Sequence, residues 1–183
     1  MLLASSIGEI ELVPPTHEDG QFVTVRDAIQ DLEEIEAGGA SESDPLHKSS
    51  GLSQRNLDRI RNSTPGGTWR DWDDDLRAAC HSRDSGGTYP SVYGRMEWDR
   101  PGPTVTTQFH GFGNGRFGHP VQDRAISLRE GALLQTFPED YSFVPDGEDV
   151  RIAPVARLIG NAVPVRIGEA IGKSIVAHLE NSL

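Results

Sequence analysis

The strongest local constraint in this 183-residue chain is the stretch Arg124 to Pro138, which reads Arg-Ala-Ile-Ser-Leu-Arg-Glu-Gly-Ala-Leu-Leu-Gln-Thr-Phe-Pro. Ser127 and Glu130 stand three residues apart, the spacing of a capping box. They start a helix over Ser127–Gln135, and Pro138 closes it. A second stretch follows shortly after, Ile159 to Pro164, Ile-Gly-Asn-Ala-Val-Pro, and leads into a helix over Val165–Leu183. On that helix Ile167, Ile171 and Ile175 fall at i, i+4 and i+8, a narrow apolar stripe. Gly168 and Gly172, also four apart, leave room for a close partner element. The stripe needs a sheet to lie on, and the chain offers little sheet near it.

Composition narrows the class. Hydrophobic residues make up 36% of the chain, and Gly 20 with Pro 12 predicts many turns. No apolar run reaches the length of a membrane span. The start, Met-Leu-Leu-Ala-Ser-Ser, is too short for a signal peptide. The single cysteine excludes an internal disulfide framework, and a cytoplasmic protein is expected. The net charge is −11, which at first sight opposes nucleic-acid binding. The distribution reverses that reading for one segment. Residues 1–50 hold 11 acids and 2 bases, whereas residues 51–130 hold 10 acids and 11 bases, every base an arginine. This central segment is the candidate nucleic-acid face, because an arginine fork pairs with guanine edges or phosphates. A salt-bridged surface is the other reading of the same charges.

Along the chain, Leu2–Ala4 and Ile7–Val13 read as two short strands turning at Gly8. An apolar start of this kind resembles the middle of a domain. Thr24–Leu32 is a short helix with Thr24 and Asp27 as a capping box. Residues 33–50 are acidic, then Gly/Ser-rich, and read as an exposed loop ending near a solvated or capping His47. Ser53 caps a helix to Asn62. Asp73–Asp75 read as the cap of a helix over Leu76–Cys80, since consecutive carboxylates point in different directions and suit a metal poorly. Cys80, before His81, reads as a half-buried helical thiol. Tyr93–Met96 and Thr104–Thr107 read as strands, and Pro145–Val150 as a loop. The Gly111–Gly118 loop, Gly-Phe-Gly-Asn-Gly-Arg-Phe-Gly, is no dinucleotide cradle, because His119-Pro120 stands where a helix should begin. No cluster of ligand residues has metal spacing.

The stretches Arg124–Pro138 and Ile159–Pro164 resemble, in order and spacing, the ninth and tenth conserved motifs of DNA (cytosine-5) methyltransferases. Thr24–Ile29 looks like that family's entry into its target-recognition region. Pro-Gly-Pro-Thr-Val-Thr, with Gly-Asn-Gly-Arg-Phe-Gly-His-Pro after it, looks like the end of that region. Gly131 and Leu133 depart from the family's usual Ala and Arg. The resemblance implies an α+β fold: a recognition lobe of short strands and loops over residues 1–123, then residues 124–183 returning to the catalytic domain. The long helix would pack on an S-adenosyl-L-methionine-binding α/β domain that these residues lack. It implies double-stranded DNA as partner, with Arg95, Thr104, Thr106, Asn114 and Arg116 as the DNA-facing candidates. Asn161 and Ala162 would lie at the amino-acid end of S-adenosyl-L-methionine, where backbone amides can reach a carboxylate. No catalytic residue is assigned, since the family's Pro-Cys-Gln and Gly-rich cofactor motifs are absent from the 183 residues. The resemblance therefore implies an amino-terminal half, in cis or as a second subunit. The rival readings are a non-catalytic DNA-binding module, an inactive methyltransferase remnant and an acidic interaction protein.

Overall fold

Local capping places three of the helices. In a computed structural model, which describes residues 3–81, 83, 88–145 and 147–181, five helices alternate with long irregular segments. Helix α1, Val25–Ile29, starts at Thr24, whose hydroxyl accepts from the Asp27 amide while Asp27 accepts from the Thr24 amide. Helix α2, Gln54–Arg61, starts at Ser53. Helix α3, Leu128–Leu134, carries the Ser127–Glu130 box in full. Each cap satisfies backbone amides that a helix start leaves without partners.

Helix α4, Ile152–Asn161, was not expected. Its signal is nonetheless in the sequence: Ile152, Val155, Ala156 and Ile159 fall at i, i+3, i+4 and i+7. Pro154 sits in the first turn, where a missing amide hydrogen costs nothing. Helix α5, Val165–Asn181, follows at once.

The expected strands do not form a sheet. The described residues contain only isolated bridges, Ala40 with Lys48, Pro65 and Gly118 with Arg95, and Gly118 with Ala125. Thr104–Thr106 keeps the alternation of an extended segment, with Val105 buried between two exposed threonines, but Pro101 and Pro103 before it deny it a ladder. Residues 3–13 form no pair of strands either, and Leu2 lies outside the described residues. The α+β expectation is thus corrected to helices joined by irregular chain.

Two apolar clusters hold these pieces. The first joins Val25 and Ile29 of α1, Leu46, Met96, Val105, Phe109, Phe117, Ile126, then Leu128 and Ala132 of α3 and Val155, Ala156 and Ile159 of α4. The second gathers Ile60, Trp69, Trp72, Leu76, Phe112 and Ala125. Burial of such side chains contributes roughly 1.5–3 kcal/mol each.

Residues 33–50 are not the exposed loop that their composition suggests. Ile35, Leu46, His47 and Ser49 are buried. The Lys48 and Leu46 carbonyls accept from the Leu128 and Arg129 amides, so this segment completes the α3 cap from outside. His47 is not solvated: its Nδ1 meets Ser127 Oγ at 2.9 Å and its Nε2 meets the Glu33 carbonyl at 2.7 Å. Asp74–Leu76 forms only a single 3-10 turn, and Cys80 is exposed outside any helix.

Helix α5 is the outlier. Ile167, Ile175, Val176 and Leu179 are each more than 40% exposed, and Ser174 is its one buried residue among those described. The N-terminal segment lies along it, with the Val13 amide donating to Ser174 Oγ at 2.9 Å and Ser5 Oγ 2.7 Å from His178 Nε2. A Cβ on Gly168 or Gly172 would meet open space.

Candidate nucleic-acid and cofactor interface

The organising stretch is built around a buried ion pair. Arg124 Nη1 and Nη2 donate to Glu130 Oε2 and Oε1 at 2.7 and 2.8 Å. Arg124 Nε donates to the Ile35 carbonyl and to Gln122 Oε1. Glu130 Oε2 also accepts from the Ser127 amide at 2.6 Å. Burial pushes the Glu130 carboxyl up, but the Arg124 guanidinium overcomes it and the net direction is down. His119 Nε2 stands 3.6 Å from Glu130 Oε1, and its Nδ1 accepts from the Gln122 amide. Burial pulls the His119 imidazole down to about 4, so the ring is neutral near pH 7. The group anchors residues 117–130 as a rigid frame rather than offering a reactive side chain.

Arg95, one of the DNA-facing candidates, is buried in that frame. It is 5% exposed. Its guanidinium donates to the carbonyls of Ile60, Ser63, His119 and Gln122, and pairs with Asp123. A fork engaged in this way ties the end of α2 to the 119–123 loop. The sequence could not reveal this, because the five acceptors come from two stretches, residues 60–63 and 119–123, both distant from Arg95 along the chain.

The remaining candidates sit differently. Thr104, Thr106 and Asn114 are exposed. Asn114 closes a 3-10 turn, Phe112–Asn114, and its Nδ2 donates to the Gln108 carbonyl at 3.1 Å, which folds the glycine-rich loop against the 104–108 segment. Arg116 is half-buried and donates Nη1 to the Gly67 carbonyl at 2.7 Å and to the Arg95 carbonyl at 3.3 Å. Asn114 is thus tied to the segment that carries Thr104 and Thr106, whereas Arg116 reaches the Gly67 and Arg95 carbonyls.

The second candidate region is the α4–α5 connection. Gln135, buried at the end of α3, donates Nε2 to the Ile159 and Ala162 carbonyls at 3.1 and 3.2 Å. Its own carbonyl accepts from the Val165 amide, and Thr136 Oγ1 accepts from the Arg166 amide. Thr136 takes φ of 60°, a left-handed turn that brings its hydroxyl back to α5. Of the two cofactor candidates, Ala162 has its amide engaged with the Ile159 carbonyl, so that N–H is not available to a carboxylate. Asn161 is exposed at the last turn of α4. Gln135 was not singled out in sequence. Its role shows only once α4 supplies the Ile159 and Ala162 carbonyls that it holds.

No group of three or more His, Cys, Asp or Glu residues able to hold a metal occurs among the described residues. No helix among them is long and apolar enough to cross a membrane.

Comparison with known proteins places this geometry. Residues 9–177 match the family profile of C-5 cytosine-specific DNA methylase. The chain is 55% identical over 180 residues to the type II methylase M.HgiDII of Herpetosiphon aurantiacus, a match that covers 98% of this chain and 51% of the relative. It is 33% identical over 187 residues to DNA (cytosine-5)-methyltransferase 3 of Arabidopsis thaliana, covering 87% of this chain and 13% of the relative. A match of 36% over 99 residues to the type II methyltransferase M.AquIB of Picosynechococcus covers 50% of this chain and 68% of that shorter protein. The chain therefore spans about half the length of M.HgiDII and far less of the plant enzyme. With its profile match running through both the recognition-like loops and the Gly-Asn-Ala-Val-Pro turn, the chain belongs to the C-5 cytosine-specific DNA methylase family.

Proposed function

We propose that this chain is the C-terminal portion of a DNA (cytosine-5) methyltransferase, giving target recognition and one wall of the S-adenosyl-L-methionine site. The observation that carries it is the bare apolar stripe of α5, in a chain that spans about half of a long relative. An exposed apolar stripe of this kind marks a surface built to be covered. The amino-terminal half that covers it, in cis or as a second subunit, would supply the nucleophile and most of the cofactor site.

The division of work follows from the chemistry. Cytosine C5 is poorly nucleophilic and lies stacked inside the duplex, so the base must leave the helix before it reacts. S-adenosyl-L-methionine supplies the methyl group when bound. This chain holds the duplex through residues 1–123. Thr104, Thr106 and Asn114 face it from one loop cluster, and Arg116 adds charge from its base. Arg95 supports that cluster from beneath. Residues 124–183 return to the catalytic side, where Asn161 would hold the amino-acid end of the cofactor. The catalytic cysteine is the other half's, so this chain alone transfers no methyl group.

The test is reconstitution with the amino-terminal half of a similar methylase, followed by transfer of labelled methyl groups to duplex DNA. Transfer by the pair, and none by either half, is expected. Duplex binding without any effect of S-adenosyl-L-methionine and without transfer would favour a non-catalytic DNA-binding module or an inactive remnant.

A further inference from the structure

The segment that carries Thr106 is seated on two glycines. Residues 106–109 form a turn in which the Phe109 amide donates to the Thr106 carbonyl at 3.2 Å. At Gly160, in the last turn of α4, an added Cβ would lie 2.4 Å from the Thr106 carbonyl carbon and the Thr107 nitrogen, and 2.5 Å from the Thr106 oxygen. At Gly131, in α3, it would lie 2.3 and 2.4 Å from two Phe109 ring carbons. A ring can tilt, whereas a peptide group has no rotamer by which to yield. Behind Gly160, Gln135 grips the carbonyls on both sides of it, those of Ile159 and Ala162. One peptide of the recognition segment is thus pressed directly on the turn that presents Asn161.

We propose that Gly160 is a positioning residue that joins the recognition segment Thr104–Phe109 to the Asn161 turn as one rigid body. A shift imposed on Thr106 by DNA would then be delivered to Asn161 without any intervening side chain. The names of the two surfaces rest on the methyltransferase reading; the contact itself does not. Gly168 and Gly172 meet nothing and Gly131 meets the Phe109 ring, so among the helical glycines described on α3, α4 and α5 the close approach to backbone is at Gly160.

The test is amide hydrogen exchange on the full chain, which needs neither DNA nor cofactor. Gly160→Ala should raise exchange about tenfold at Phe109, Ala162 and Val165 together, while Val25 and Arg26 of α1 keep their rates. Gly168→Ala is the control and should change none of the five. If Gly160→Ala does not fold, Gln135→Ala loosens the same turn from its opposite side without added bulk. The Phe109 amide should then loosen with Ala162 and Val165. Loosening of Ala162 and Val165 with Phe109 unchanged would overturn the coupling. A failed methyl-transfer assay beside coupled exchange would count against the methyltransferase reading alone.

Discussion

Arg124 and Glu130 face each other through two hydrogen bonds of 2.7 and 2.8 Å at a place where neither side chain is more than 1% exposed. Removing one partner leaves the other charge buried without compensation, which typically costs about 3–5 kcal/mol. Glu130→Gln should therefore lower the urea midpoint by that free energy. A loss under about 1 kcal/mol would mean that water reaches Arg124.

His119 makes stability depend on pH. Its folded value is held down to about 4 against an ordinary 6.5, chiefly by burial and further by Arg124, Arg95 and His47, with Glu130 opposing. The unfolded chain binds the extra proton first. The contribution is complete above about pH 6.5 and is lost as pH falls towards 4, on the order of 3 kcal/mol across that window. Glu130, also held below its ordinary value, adds to the loss at lower pH. Denaturant midpoints measured across this window should fall with acidity, and His119→Gln should flatten the fall above pH 4.5 or so.

Arg95 and Asn114 separate scaffold from surface. Arg95→Ala removes five internal contacts and leaves several carbonyls without donors. It should cost about 3 kcal/mol or more of stability. Asn114→Ala should leave stability within about 0.5 kcal/mol and, if Asn114 reads a base, lower discrimination between duplexes by about 1–3 kcal/mol. Thermal unfolding and competition binding with mismatched duplexes distinguish the two. Equal stability of both variants would contradict the placement of Arg95.

On α5 the expected effect has the opposite sign. Gly172 is exposed in a helix interior and an added methyl meets nothing. Gly172→Ala should stabilise the isolated chain by roughly 0.5–1 kcal/mol, read as a raised Tm. If the other half seats on this face, the same variant should weaken its association.

What was legible in the sequence was what is fixed within a few residues. The Thr24–Asp27 and Ser127–Glu130 boxes and the Ser53 cap placed α1, α3 and α2, because a cap is closed by neighbours along the chain. The bare stripe of α5 was legible as periodicity. Strands were over-read at residues 93–96 and 104–107, since alternation shows a half-buried extended chain and says nothing of a neighbouring strand. The burial of His47 and of Arg95 depended on acceptors up to 80 residues away in sequence. Ala162 looked available as an amide donor until α4 supplied the Ile159 carbonyl. The family itself was readable from the two late motifs, and the profile match extends that identity over residues 9–177.

The most direct measurement is methyl transfer to cytosine-containing duplex DNA by this chain mixed with the amino-terminal half of a similar methylase. The account predicts labelled 5-methylcytosine from the pair and none from either half. It also predicts that a charged substitution on the α5 stripe, Ile175→Asp, abolishes both association and transfer. A pair that associates through α5 and binds duplex DNA, yet transfers nothing, would contradict it.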